Sequence, residues 1–158
     1  MHGEFSFIAE PAQRTLVMMR TFDAPREDVF AAWTTPEEVT QWWDPTGAPL
    51  AVCEIDLRPN GVFRWVNQGE VGAKHPFTGI YREIVRPERL VFHAGISPEA
   101  PQQLATLVFT ERDGRTKLTM TIECGSVVQR DMMLSMRIEV GTARTLENLA
   151  VHLRRRSK

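Results

Sequence analysis

The sequence predicts an α+β fold: a curved antiparallel sheet of about seven strands, two short helices, and a long C-terminal helix over the concave face. Three observations predict it. Residues 50–124 hold a succession of runs that alternate apolar and polar side chains between turn formers, as a sheet with one buried face requires. Residues 23–43 change period twice, each time to a short helical pattern that ends in tryptophan. From Ser126 to about residue 154 there is no proline, and apolar residues recur at helical spacing. That last segment needs a partner, and the sheet supplies one. An apolar cavity between them is the central expectation.

In chain order, Phe5, Phe7 and Ile8 suffice for a short edge strand at most. Residues 14–22 place Leu16, Met18, Arg20 and Phe22 on one face and Val17, Met19 and Thr21 on the other, a first strand. Asp23-Ala24-Pro25 then turns the chain into a helix, because proline suits the first helical position, where its missing N–H costs nothing. Val29, Phe30 and Trp33 mark the buried face. Thr35-Pro36-Glu37-Glu38 opens a second helix. Thr35 is expected to accept from the Glu38 N–H while the Glu38 side chain reaches back, a capping box. Val39, Trp42 and Trp43 are its apolar face.

Cys53, Ile55 and Leu57 next alternate with Val52, Glu54 and Asp56. Pro59-Asn60-Gly61 reads as a turn, since Asn-Gly tolerates positive φ. Phe63, Trp65 and Asn67 alternate with Val62, Arg64 and Val66, and residues 69–74 turn again. A run over 77–85 ends at Arg86-Pro87-Glu88-Arg89, Leu90 and Phe92 then oppose Val91 and His93, and 95–102 is a loop. Runs over 104–111 and 117–124 flank Asp113-Gly114, a hairpin signal. Ser126 is the expected N-cap of the final helix. One stripe on that helix is Ile138, Thr142, Leu146, Leu149 and Leu153; another is Val128, Met132, Met136, Val140 and Ala143. Together they are wider than one contact with a sheet needs, so the helix is expected to touch the cavity too.

Composition bounds the function. With 158 residues, 42 % of them apolar, the chain suffices for one domain over 1–158 with a sizeable core. A net charge of −1 and a pI near 6.4 give no bulk attraction to nucleic acid or anionic membrane. Arg154, Arg155, Arg156 and Lys158 read as a solvated end that complements a helix C-terminus. Cys53 and Cys124 make no disulfide framework, and no leader or membrane-length apolar run is seen. The expectation is a cytoplasmic protein without stable membrane insertion.

The order of elements matches the helix-grip architecture, and particular residues narrow the match. Arg20-Thr21-Phe22-Asp23-Ala24-Pro25, Val29-Phe30, Trp33-Thr34-Thr35-Pro36-Glu37 and Trp42-Trp43 form its opening. Asp56-Leu57-Arg58-Pro59-Asn60-Gly61-Val62-Phe63, Gly79-Ile80-Tyr81-Arg82-Glu83-Ile84 and Arg86-Pro87-Glu88-Arg89-Leu90-Val91-Phe92 continue it. Gly141 with Leu146, Leu149 and Leu153 closes it. The pattern, over about 14–153, resembles the C-terminal, Aha-type domain of the activator of the ninety-kilodalton heat-shock protein ATPase, within the START-like (SRPBCC) superfamily. The resemblance implies a sheet gripping a long helix, often around an apolar ligand cavity. Stand-alone bacterial members mostly have no assigned activity. The eukaryotic co-chaperone carries a separate N-terminal domain for which this chain has no room, so a cavity is implied more directly than a chaperone partner. Members often place Trp after the helix glycine, where this chain has Thr142, and losing an indole there would enlarge the cavity unless another aromatic such as Trp65 fills the space.

Candidate cavity residues are Trp42, Trp43, Phe63, Trp65, Phe77, Tyr81 and Phe92, which offer large apolar surfaces with few polar tips. Met120, Met132, Met136 and Thr142 extend that lining to the last strand and helix, while Trp33 and Phe30 read as ordinary core. Asn67, Glu83 and Arg137 are candidate orienting groups, although Glu83 and Arg137 would equally serve as a surface pair. His2, His75, His93 and His152 lack metal-ligand spacing, and neither a phosphate loop nor a nucleophile elbow is present, so no metal, cofactor or catalytic set is assigned. The leading expectation is a non-catalytic binder of a small hydrophobic or aromatic molecule. The alternatives are a cyclase- or hydrolase-like cavity enzyme using His93, Glu83 or Tyr81, and a chaperone-interaction module with an exposed apolar patch. An exposed sheet face also leaves a homodimer open.

Overall fold

The computed structural model of the protein describes residues 5–10, 13–44, 46–68, 76–95 and 102–156. The expected turn over 69–74, most of the expected loop over 95–102, and His2 and His75 lie outside these residues. The strands are β1 (Ser6–Ile8), β2 (Thr15–Phe22), β3 (Val52–Ile55), β4 (Val62–Val66), β5 (Pro76–Val85), β6 (Arg89–Gly95), β7 (Gln103–Arg112) and β8 (Arg115–Glu123). They form one curved antiparallel sheet in the order β1-β2-β8-β7-β6-β5-β4-β3. The eighth strand relative to the expected seven is β1, which pairs Phe7 with Met18 along the edge.

Register turns the sequence alternation into a continuous inner face. Met18, Met120, Leu107 and Leu90 lie side by side across β2, β8, β7 and β6, and all are buried. The next row is Leu16, Ile122, Ala105, Phe92 and Tyr81. Lys117, Thr119, Thr121 and Glu123 take the outer face of β8. The two hairpin signals hold for different reasons. Asp113 and Gly114 both have positive φ, 54° and 76°, as a mirror-image two-residue turn needs. In the other turn it is Asn60 that adopts φ 68°; Gly61 is required because a Cβ there would strike the Asp56 carbonyl oxygen.

Helix α1 (Arg26–Thr34) buries Val29, Phe30, Ala32 and Trp33; α2 (Pro36–Trp42) buries Val39 and Trp42. The Trp42 indole N–H donates to the Ala32 carbonyl (3.0 Å), locking the two helices at an edge-to-face tryptophan pair with Trp33, the rings inclined at 67°. The capping box at Thr35 does not form. Thr35 is the N-cap residue but makes no side-chain cap hydrogen bond. The Glu38 carboxylate instead meets the C-terminal helix, 2.9 Å from His152 Nε2 and 2.8 Å from Arg156 Nε, which donates to it.

The single long helix expected from Ser126 is two helices, α3 (Val127–Ser135) and α4 (Ile138–Arg156). Ser126 does cap the first, its Oγ accepting from the Gln129 N–H (3.1 Å). The break falls at Arg137, whose φ of 57° lies in the left-handed region. That conformation costs a non-glycine residue roughly 1–2 kcal/mol. The helices on either side are anchored by separate contacts. Arg130 of α3 is buried and donates through Nη1 to the carbonyls of Glu10 and Gln13, tying α3 to the N-terminal segment. Helix α4 lies over the sheet and α1–α2 through Leu146, Leu149 and Leu153, each buried. Burial of a leucine contributes roughly 2 kcal/mol, against about 0–1 for an exposed ion pair. The leucine seam therefore sets the position of α4, and the Arg156–Asp28 pair (2.8 Å) only trims it.

Candidate functional site

Between the concave face and the α3–α4 junction lies a cleft of about 380 Å³. Phe77 and Met120 come to it from the sheet, Trp33 and Trp43 from the paired helices. Met136 and Arg137 come from the break itself, and Ile138, Gly141, Thr142, Thr145 and Leu146 from the first turns of α4. The mouth is framed by Met136, Arg137 and Gly141, all exposed, so the space is an open cleft rather than a closed chamber. A Cβ built on Gly141 would meet nothing within 4 Å.

Of the candidate lining residues, the structure brings five to this cleft: Trp43, Phe77, Met120, Met136 and Thr142. Five others form the core beside it. Trp42, Phe63, Trp65, Tyr81 and Phe92 are each at most 4 % exposed; Trp42 packs on Trp33, while Phe63 lies 5.1 Å from Tyr81 and 5.2 Å from both Trp65 and Phe92. Met132 points away on the solvent side of α3, 60 % exposed. Trp33, read as core, is core and also edges the cleft. Ile138, Gly141, Thr145 and Leu146 were missed as lining. Thr145 carried a signal, since it follows Thr142 by three residues and interrupts the same apolar stripe.

The polar complement is small. The Asn67 amide donates to Asp44 Oδ2 (2.7 Å), and the Asp44 backbone carbonyl accepts from Asn148 Nδ2 (2.9 Å), so Asn67 is held in place through α4. Asn67 and Arg137 both line the cleft, as orienting groups should; Glu83 does not, being paired with Arg89 at 2.6 Å on the outer side of the sheet. Among the described residues the indole N–H groups of Trp33 and Trp65 and the Tyr81 hydroxyl have no hydrogen-bond partner.

The three candidate acid–base groups do not converge. Tyr81 is 1 % exposed on the inner face, and burial, with the nearby Cys53 and Asp56, pushes its hydroxyl far above the ordinary phenol range. His93 stands on the outer face, where its Nδ1 accepts from Arg82 Nε (2.9 Å). Glu83 shares that outer side but is engaged by Arg89. Burial, reinforced by Glu37, raises the Cys53 thiol to about 11, so it is a poor nucleophile near neutral pH. No group of three or more His, Cys, Asp or Glu residues that could hold a metal ion occurs among the described residues.

The sheet order, the tryptophan-terminated helix pair and the gripped C-terminal helix belong to a chain whose residues 23–154 match the family described as activator of Hsp90 ATPase homolog 1-like protein. The chain belongs to that family. No curated protein matches it. Among solved structures, a Rhodobacter sphaeroides protein is similar at 25 % identity and TM-score 0.85, with 95 % of this chain and 97 % of that one covered. A Mycobacterium smegmatis protein is similar at 22 % identity and TM-score 0.84, with the same two coverages. A Nitrosomonas europaea protein stands at 24 % and 0.83, covering 94 % and 99 %. These likenesses carry the fold of this Hsp90-activator-like domain. Among its described residues no helix is long and apolar enough to cross a membrane.

Proposed function

We propose that this Hsp90-activator-like domain is a non-catalytic binder of a small hydrophobic or aromatic molecule, taken up in the cleft at the α3–α4 junction. The observation that carries the reading is the cleft's make-up. Its volume of about 380 Å³ suits a small organic ligand, its walls are Trp43, Phe77, Met120 and Ile138, and a few polar groups stand at known places. An aromatic or alkyl body would lie on Trp43 and Phe77, with a polar end toward Asn67 and Arg137. The free thiols Cys53 and Cys124 fit a reducing compartment such as the cytoplasm. The test is a thermal-shift and tryptophan-fluorescence screen against aromatic and fatty acids and their neutral alcohols. Thr142→Trp should abolish uptake of any hit, and unchanged uptake in that variant would remove the cleft from consideration.

A protein-contact role is the second reading, favoured by one observation. Val128, Met132, Met136 and Val140 are 47–78 % exposed along α3 and the start of α4. Titration with a purified Hsp90-type chaperone tests it: binding that Met132→Glu weakens would support contact through this stripe, and no binding would end the reading.

A further inference from the structure

A second recess, of about 560 Å³, lies on the opposite side of the sheet from the cleft, across the outer faces of β3, β4, β5 and β6. Its apolar floor comes from Val62, 58 % exposed, and Ile80, which sit directly opposite each other in register. Arg64, Arg82 and His93 surround that floor, and among the described residues Glu54 is the single carboxylate in the lining.

Among the described residues neither arginine of this recess lies within ion-pair distance of a carboxylate, unlike several arginines elsewhere on the surface. Arg14, Arg26, Arg58, Arg86, Arg89, Arg115 and Arg156 each lie within 4.0 Å of a carboxylate. Arg82 instead spends its donors on two neutral acceptors, with Nε on His93 Nδ1 (2.9 Å) and Nη1 on Asn60 Oδ1 (3.3 Å). Its guanidinium is thereby oriented without being neutralised. Arg64 is exposed and stands directly across from Glu54 in register, yet makes no ion pair among the described residues. Because His93 Nδ1 accepts from Arg82, the neutral ring carries its proton on Nε2, which remains a donor. Two arginines and an imidazole N–H around an exposed valine–isoleucine floor are complementary to a negative head on an apolar body.

We propose that this outer recess is a binding site for a small amphipathic organic anion, a carboxylate or sulfonate headgroup on an alkyl or aromatic body. The headgroup is held at one edge of the floor by Arg82 and His93, the body covers Val62 and Ile80, and Arg64 adds positive charge from the opposite edge. The site is independent of the inner cleft, being separated from it by the sheet itself.

The test uses the full ¹⁵N-labelled chain titrated with sodium octanoate, with n-octanol and with inorganic phosphate, following backbone amide shifts. Octanoate should give saturable shifts at Arg64, Ile80, Arg82 and His93, while octanol and phosphate bind there at least about tenfold more weakly, since a charge-assisted hydrogen bond is worth about that factor. The double variant Arg64→Gln/Arg82→Gln, both exposed positions, should weaken octanoate about tenfold or more with the spectrum otherwise intact. Thr142→Trp, which obstructs the inner cleft, should leave these shifts unchanged, so loss of the cleft reading would not touch this one. Shifts confined to Phe77, Met120, Gly141 and Thr142 would overturn the proposal. So would equal binding of phosphate, or octanoate affinity indifferent to the double variant.

Discussion

Arg20 Nη2 lies 2.9 Å from Glu147 Oε2, joining the inner face of β2 to helix α4 by an ion pair that is buried on one side only. Arg20 is 5 % exposed and lies 5.6 Å over the Phe22 ring, while the Glu147 side chain is about half exposed. The asymmetry determines what each substitution does. Removing Glu147 leaves a cation in a place that water reaches poorly; removing Arg20 leaves a carboxylate in water. Glu147→Ala should therefore destabilise the fold by about 1–2 kcal/mol, a fully buried pair's loss discounted for the exposed partner. Arg20→Met should stay within about 1 kcal/mol of the parent, because the methionine fills the same apolar space. Urea unfolding of both variants checks this, and a Glu147→Ala change below about 0.3 kcal/mol would mean that Arg20 is solvated by another route.

Gly141 gives a direct reading of the open side of the cleft. It sits inside α4 and a Cβ there would touch nothing, so neither backbone strain nor a clash opposes a side chain. Gly141→Ala should raise stability by roughly 0.5–1 kcal/mol, the helix-interior difference between the two residues. The expected readout is a higher urea midpoint with unchanged slope. Destabilisation would mean that the space beside Gly141 is closed in solution.

How far the fold and the candidate site were legible follows from which forces are local. Strand alternation is a period-two pattern of burial, so β2 through β8 could be read directly, and β1 only as a weak edge. The α3–α4 break could not, because nothing in Ser135-Met136-Arg137 resembles a glycine or proline signal. It is imposed at a distance, by Arg130 gripping the carbonyls of Glu10 and Gln13 while the leucine seam of α4 holds another contact. The cleft suffered from the same blindness. Aromatic identity marks both core and ligand surface, so Trp42 and Phe63 in the core and Trp43 and Phe77 in the cleft look alike until the helix junction is placed. The Glu38 carboxylate shows the converse: a local capping signal outbid by His152 and Arg156, more than a hundred residues away (|i−j| 114 and 118).

Tyr81 and Cys53 make alkaline stability a test of the inner face. Burial raises the Tyr81 hydroxyl above its ordinary 10.0, and it raises the Cys53 thiol from 9.0 to about 11. In the unfolded chain both protons leave at their ordinary values, so on the alkaline side the unfolded state binds fewer protons than the folded one. The sign follows: stability is undiminished below about pH 9 and falls as pH rises, through the window from 9.0 to about 11 for Cys53 and beyond 10.0 for Tyr81. Tyr81→Phe removes one of the two groups together with a buried hydroxyl that has no partner among the described residues. Its stability near neutral pH should be unchanged or higher by up to about 1 kcal/mol, since deleting an unsatisfied polar group of the same shape is neutral or favourable. Its urea midpoint should also fall less steeply with pH than the parent's. A Tyr81→Phe variant that loses about 1 kcal/mol or more at neutral pH would show that the hydroxyl is hydrogen-bonded in solution, and a parallel alkaline slope would assign the whole loss to other groups.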